Sequence, residues 1–203
     1  MEVYETEEQQ VEALKSWWKE NGKAVVLGAV IGLGGLYGWR YYQGEVQTTK
    51  ELTSDAYSQV MTTLDSGSEN AVADVQAFIS ANESSQYSVL AALQLAKTQV
   101  ELGDLDGAIK QLTWAISQTK DQAILPLAQT RLARIYAEQQ KFDEALAELE
   151  KVTATSWQSK IAELRGDILL LKGDVIAARK AYISAQQLGA SPALQMKLDD
   201  LAQ

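Results

Sequence analysis

Gly103-Asp-Leu-Asp-Gly-Ala108, Gln140-Lys-Phe-Asp-Glu-Ala145 and Gly173-Asp-Val-Ile-Ala-Ala178 are three versions of one phrase, and they decide the fold. In each, a polar turn opens an amphipathic helix, and an apolar residue (Leu105, Phe142 or Val175) stands three positions before a fixed alanine. Four and seven positions after that alanine come Leu112 and Ala115, Leu149 and Val152, then Tyr182 and Ala185. This is the spacing of one helical stripe. A small residue where two helices cross lets them approach closely, and the larger apolar residues fill the space around it. The fixed alanines are 37 and then 33 residues apart.

A period near 34 with paired helices resembles the tetratricopeptide (TPR) repeat. The first helices also match in part: Leu95 precedes Ala96, Leu132 precedes Ala133, and Gly166 takes the small-residue position. The consensus tryptophan is replaced by Ala92, Gln129 and Ala162, and tyrosine survives only as Tyr136, so the repeats are degenerate. The expected fold is all-α: a single N-terminal transmembrane helix followed by a TPR-like α-solenoid of helical hairpins, with repeats at about 89–122, 126–159 and 159–192. A divergent helical pair, 52–64 and 71–79, precedes them, joined by the turn-like Asp65-Ser-Gly-Ser-Glu69. Ser191-Pro192 starts a last helix to about Leu201, whose Lys197, Asp199 and Asp200 suit a polar cap over the stack.

Stacked hairpins curve and leave a concave face built largely from the first helix of each pair. On this chain that face selects Leu90, Leu93, Lys97, Leu127, Thr130, Arg134, Glu138, Glu163 and Asp167 as the candidate peptide- or protein-binding surface. Lys97 and Arg134 occupy equivalent positions with acids further along, which polarises the groove. Trp114 and Trp157 read as packing residues.

Upstream, residues 24–39 are sixteen consecutive uncharged residues, bounded by Lys23 and Arg40. As a helix they reach about 24 Å, and about 28 Å on to Tyr42 if Arg40 snorkels outward, against a hydrocarbon core of about 30 Å. Trp17 and Trp18 before the stretch, and Tyr37, Trp39, Tyr41 and Tyr42 at its end, form the aromatic belts of a membrane span. A soluble core helix would not carry the five glycines within it, each costing about 0.8–1 kcal/mol relative to alanine. A cleavable signal would end in small residues, not in Gly-Trp-Arg-Tyr-Tyr-Gln. The stretch therefore reads as a permanent anchor, spanning 24–43. Because 47–64 holds no strong breaker, the helix is expected to continue outward as a stalk. Gly28 with Gly32, and Gly34 with Gly38, have the spacing at which another helix packs closely, whether from a second copy or from another membrane protein. Lys15, Lys19 and Lys23 precede the span against Arg40 and Lys50 after it. That balance and the short tail place residues 1–23 in the cytoplasm and 44–203 outside it.

The chain carries 27 Asp and Glu against 18 Lys and Arg, and residues after Gly44 hold 21 acids and 14 bases, a net charge of -7. Nucleic-acid binding needs basic clusters to displace phosphate counterions, and none of five or more occurs. The same acidity disfavours docking on anionic lipid. With no Cys there is no disulfide or thiolate, and with no His the commonest acid–base catalyst and metal ligand is missing. No catalytic, metal or cofactor constellation stands out, so a binding protein is expected rather than an enzyme. The tail is acidic (Glu2, Glu5, Glu7, Glu8, Glu12 and Glu20) and reads as solvated and flexible, while Val11, Leu14, Trp17 and Trp18 share helical spacing that would let a helix lie along the bilayer and run into the span.

The opening Met1-Glu-Val-Tyr-Glu-Thr-Glu-Glu-Gln-Gln-Val-Glu-Ala-Leu-Lys15, Glu20-Asn-Gly-Lys23 before the span and Gly38-Trp-Arg-Tyr41 closing it resemble the YfgM family of gammaproteobacterial inner-membrane proteins. The resemblance implies a single-span ancillary subunit of the SecYEG translocon with a periplasmic TPR-like domain. It further implies association with the periplasmic chaperone PpiD, contact with translocating polypeptides, and no catalytic motif. A link through the tail to the Rcs envelope-stress response regulator is the alternative role it implies.

Overall fold

The computed structural model describes residues 7–189 and 191–201, which form helices joined by short turns, with no strand among them. The helices are α1 (Glu7–Asp65), α2 (Ala71–Ala81), α3 (Gln86–Glu101), α4 (Leu105–Gln118), α5 (Ile124–Glu138), α6 (Phe142–Glu150), α7 (Gln158–Leu171), α8 (Val175–Leu188) and α9 (Pro192–Asp200), with a 3-10 turn at Thr155–Trp157 before α7. The chain forms two compact units, 1–52 and 53–203, so α1 contributes to both.

In the first unit α1 is the one helix among the described residues long and apolar enough to cross a membrane. Every side chain from 23 to 45 is exposed. An apolar helix with all its faces open is stable where lipid replaces water, because its backbone polar groups are satisfied internally. Val11, Leu14, Trp17 and Trp18 lie on the same helix, and the Trp18 ring folds over Gly22, where a Cβ would stand 3.1 Å from it. From Glu7 onward the acidic stretch is helical rather than flexible. Lys15 stands three residues after Glu12 and Lys23 three after Glu20, a spacing at which opposite charges are neighbours on a helix. Glu2 and Glu5 lie outside the described residues.

The second unit starts with the end of α1, which packs Ala56, Tyr57, Val60, Met61 and Leu64 against Val75, Phe78 and Ile79 of α2 and Val89 of α3. The Tyr57 ring lies 6.2 Å from Phe78 and 5.4 Å from Tyr87, the tilted geometry that aromatic quadrupoles favour. Three hairpins follow: α3–α4, α5–α6 and α7–α8. Their turns are closed the same way. The amide of Asp104 donates to the Gln99 carbonyl, that of Lys141 to Tyr136, and that of Asp174 to Leu169. The residue before each (Gly103, Gln140 and Gly173) has positive φ: 81°, 60° and 89°. Two of the three turns use glycine, and Gln140 bears the steric cost of the left-handed conformation.

Within the hairpins, paired small and large residues set the crossing distance. Ala96 and Ala133 share their cores with Leu112 and Leu149, all buried. The third hairpin enlarges one partner and shrinks the other: Tyr182, 1% exposed, lies over Gly166, where a Cβ would stand 2.3 Å from the ring. Among the described residues each hairpin packs chiefly on its neighbours, which is the physics of a solenoid. Successive tips are joined by Gln139 Nε2 donating to Asp106 (2.9 Å) and by the Lys172–Asp143 ion pair.

Candidate functional site: the groove of the first helices

The residues proposed for the concave face separate into three environments. Leu93 and Thr130 are buried, at 5% and 4% exposure, so they pack the core and cannot meet a ligand. The Thr130 hydroxyl donates to the Leu127 carbonyl one turn back (2.9 Å). Leu90 is exposed and Leu127 half-buried, at the edges of α3 and α5.

Lys97, Arg134 and Glu138 come together. An open groove of about 390 Å³ is lined by Ala96, Lys97, Val100, Glu101, Leu112, Arg131, Arg134 and Ile135. A second, also about 390 Å³, adjoins it through Val100, Arg134 and Ile135 and reaches Glu138 and Leu105. Its floor is apolar and its rim charged. Lys97 pairs with Glu101 at 3.6 Å, both well exposed, so that pair contributes little to stability. The guanidinium groups of Arg131 and Arg134 make no ion pair or side-chain hydrogen bond among the described residues. A rigid fork of unpaired donors beside an apolar floor suits a segment carrying a carboxylate next to an apolar side chain. Sequence reasoning missed Val100, Glu101 and Arg131. Glu101 is four residues from Lys97 and Arg131 three from Arg134, so helical spacing was the available signal.

Glu163 and Asp167 are engaged elsewhere. Lys197 of α9 turns inward and donates to Glu163 Oε1 (2.8 Å) and Asp167 Oδ1 (2.6 Å). Lys160 holds the other Glu163 oxygen at 2.9 Å, and the Tyr182 hydroxyl donates to Asp167 Oδ1 at 2.8 Å. Lys197 Nζ also stands 5.6 Å from the Tyr182 ring centroid, within cation–π reach. Burial pushes Glu163 up, but the hydrogen bonds and charges of Lys197 and Lys160 outweigh it and hold the carboxyl below its ordinary range. Burial pulls Lys197 down, and its two carboxylate partners raise it above the ordinary lysine value. Burial, then the bond to Asp167, drives the Tyr182 phenol well above its usual range. Lys197, expected as part of a polar cap over the stack, is the pin that seats α9 on α7 and α8. It lies 34 residues after Glu163, one repeat length. The acidic end of the predicted face is therefore a structural seam, whereas Lys97, Arg134 and Glu138 line an open groove formed by α3, α4 and α5.

On α1, Gly28, Gly32, Gly34 and Gly38 have nothing within 4 Å of a Cβ position. Gly35, which the four-residue spacing passes over, is seven residues from Gly28 and so within about 20° of it around the helix. Gly28, Gly32 and Gly35 form one strip, with Gly34 and Gly38 beside it.

A tetratricopeptide repeat-like domain family matches residues 15–203. The ancillary SecYEG translocon subunit of Escherichia coli (strain K12) is 34% identical over 206 aligned residues, covering 100% of both chains. The protein of the same name from Haemophilus influenzae is 33% identical, covering 96% of this chain and 97% of its own. Among solved structures, MamA 41-end from Desulfovibrio magneticus RS-1 superposes with a TM-score of 0.58 at 16% identity, over 73% of this chain and 82% of that one, a likeness of fold. The apolar N-terminal helix, the hairpin stack and relatives aligned from end to end agree: this chain belongs to the family of the ancillary SecYEG translocon subunits.

Proposed function

We propose that the chain is a single-pass inner-membrane protein, N-terminus cytoplasmic and hairpin domain periplasmic, that works as a protein-interaction module beside the SecYEG translocon. In this reading residues 1–23 form the cytoplasmic tail, 24–43 the span and 44–203 the exported domain, and the protein helps transfer newly translocated polypeptides to periplasmic chaperones such as PpiD. The observation that carries it is the end-to-end relationship to ancillary SecYEG subunits. Anchoring beside the translocon turns weak contacts in the groove into useful occupancy through effective concentration. The glycine strip of α1 is the proposed packing surface within the bilayer, and Lys97, Arg131, Arg134 and Glu138 rim the proposed docking groove. Binding rather than catalysis fits a chain without His or Cys.

The test is site-specific photocrosslinking in intact membranes from Gly35 and from Arg131. The reading expects translocon subunits from Gly35 and chaperone or translocating chain from Arg131. Crosslinks to neither would refute it, and silence from Arg131 alone would reduce the hairpins to a spacer. The second reading, which the resemblance to the YfgM family implies, is control of the Rcs response from the cytoplasmic side through the tail. Deleting residues 1–15 abolishes that signalling if the tail carries it and leaves chaperone association intact.

A further inference from the structure

Three surface positions recur in every hairpin: seven before, two before and five after the fixed alanine. In the first hairpin they hold Glu101, Asp106 and Thr113, and in the second Glu138, Asp143 and Glu150. In the third they hold Leu171, Ile176 and Ile183. All nine side chains are exposed, so packing does not explain the change. Leu171 is 66% and Ile176 74% exposed, and Leu170 and Val175 beside them are also open. Ile176 and Ile183 are two turns apart on one face of α8.

Cations accompany them. Residues 170–183 carry Lys172, Arg179 and Lys180 against Asp174 alone. Lys172 pairs with Asp143. Arg179 and Lys180, three and four residues after Ile176 and exposed, make no ion pair among the described residues. An apolar tip rimmed by free cations on an otherwise acidic domain calls for an anionic, apolar occupant.

We propose that this tip docks on the anionic surface of the lipid bilayer, with Leu171, Ile176 and Ile183 entering the boundary between headgroups and acyl chains and Arg179 and Lys180 meeting lipid phosphates. The inference rests on the anchor reading, because a span in the bilayer makes the second contact intramolecular and supplies its effective concentration. The domain's overall negative charge opposes docking only weakly beyond a Debye length of about 8 Å, so the local cations decide. Symmetric pairing of two such tips would set Arg179 and Lys180 against their own copies, which disfavours a second chain as the occupant.

The absence of cysteine permits a direct test on the full chain. Ile176→Cys, Thr113→Cys and Gly32→Cys would each carry a nitrobenzoxadiazole probe, in vesicles of phosphatidylethanolamine and phosphatidylglycerol with doxyl-labelled lipid. The expected result is strong lipid quenching at 176 and little at the equivalent position 113. Lys180→Gln should lower the docked-to-free ratio about fivefold. If the probe at 32 is quenched while 176 behaves like 113, docking is refuted and the anchor stands. If 32 is not quenched either, the anchor reading itself has failed. Shielding at 176 that appears only at high protein density, or only after adding translocon, would assign the tip to a protein and overturn the proposal.

Discussion

Replacing Gly166 by alanine sets two effects of opposite sign against each other. Helix propensity alone favours alanine by about 0.8–1 kcal/mol. The structure says otherwise: the new Cβ would lie 2.3 and 2.4 Å from two Tyr182 ring atoms, where carbon contacts belong at about 3.5–4.0 Å. The ring must therefore move by more than about 1 Å. It has little room, being 1% exposed and tied through its hydroxyl to Asp167. Overpacking of this kind costs about 1–3 kcal/mol. The net expectation is destabilisation by about 1–2 kcal/mol, or a melting temperature lower by about 3–6 °C for a domain of this size. Denaturant unfolding of the full chain in nanodiscs, followed by fluorescence, would measure it, since Trp114 and Trp157 pack against the hairpin cores. The double variant Gly166→Ala with Tyr182→Leu recreates the pairing of the first two hairpins and should recover about 1 kcal/mol relative to the sum of the single changes. A Gly166→Ala protein at least as stable as the parent, or strictly additive single changes, would refute the size-matching argument.

Lys141 has nearly the backbone of Asp104 and Asp174 (φ -86° and ψ 66°, against -82° and 71°, and -89° and 75°) but no side-chain cap, so Lys141→Asp should raise the denaturation midpoint by about 1 kcal/mol equivalent. Lys197→Met should loosen the α9 seam by about 1 kcal/mol after solvent screening, read as faster hydrogen exchange in α9 with α3–α6 unchanged. Because Glu163 has a lowered folded pKa, its contribution is present above the unfolded value of 4.5 and lost as pH falls through the lower folded one, so the parent and Lys197→Met proteins should converge in stability below pH 4.5. Arg134→Glu should abolish crosslinks to translocating chains from the probe at position 131 while leaving thermal stability within about 0.5 kcal/mol, as the Arg134 guanidinium is unpaired among the described residues.

How much the sequence disclosed depends on the range of the interaction. The hairpins could be read because their determinants are local and repeated: the turn phrase, the small residue at the crossing and the stripe behind it lie within one helix length. The anchor could be read because composition alone separates lipid from water. The groove was harder. Which face of a first helix stays open depends on the next element in space, so Leu93 and Thr130, apolar or small at an expected face position, turned out to be core. Glu163 and Asp167 matched the pattern but were taken by Lys197, a partner 34 and 30 residues away that no local rule pairs with them. Arg131 and Val100 were missed because the face is wider than the strict positional equivalence used to trace it. On α1 the four-residue spacing found Gly28 and Gly32 but passed over Gly35, which helical geometry places on the same strip.

A chain without cysteine offers the most direct measurement of the whole account: single cysteines at Ser16→Cys and Lys120→Cys, probed in intact spheroplasts with a membrane-impermeant maleimide. The prediction is immediate labelling at 120 and protection at 16 until the membrane is lysed. Labelling at 16 with protection at 120 would reverse the topology, and labelling of both only after lysis would place the hairpin domain in the cytoplasm and contradict the account.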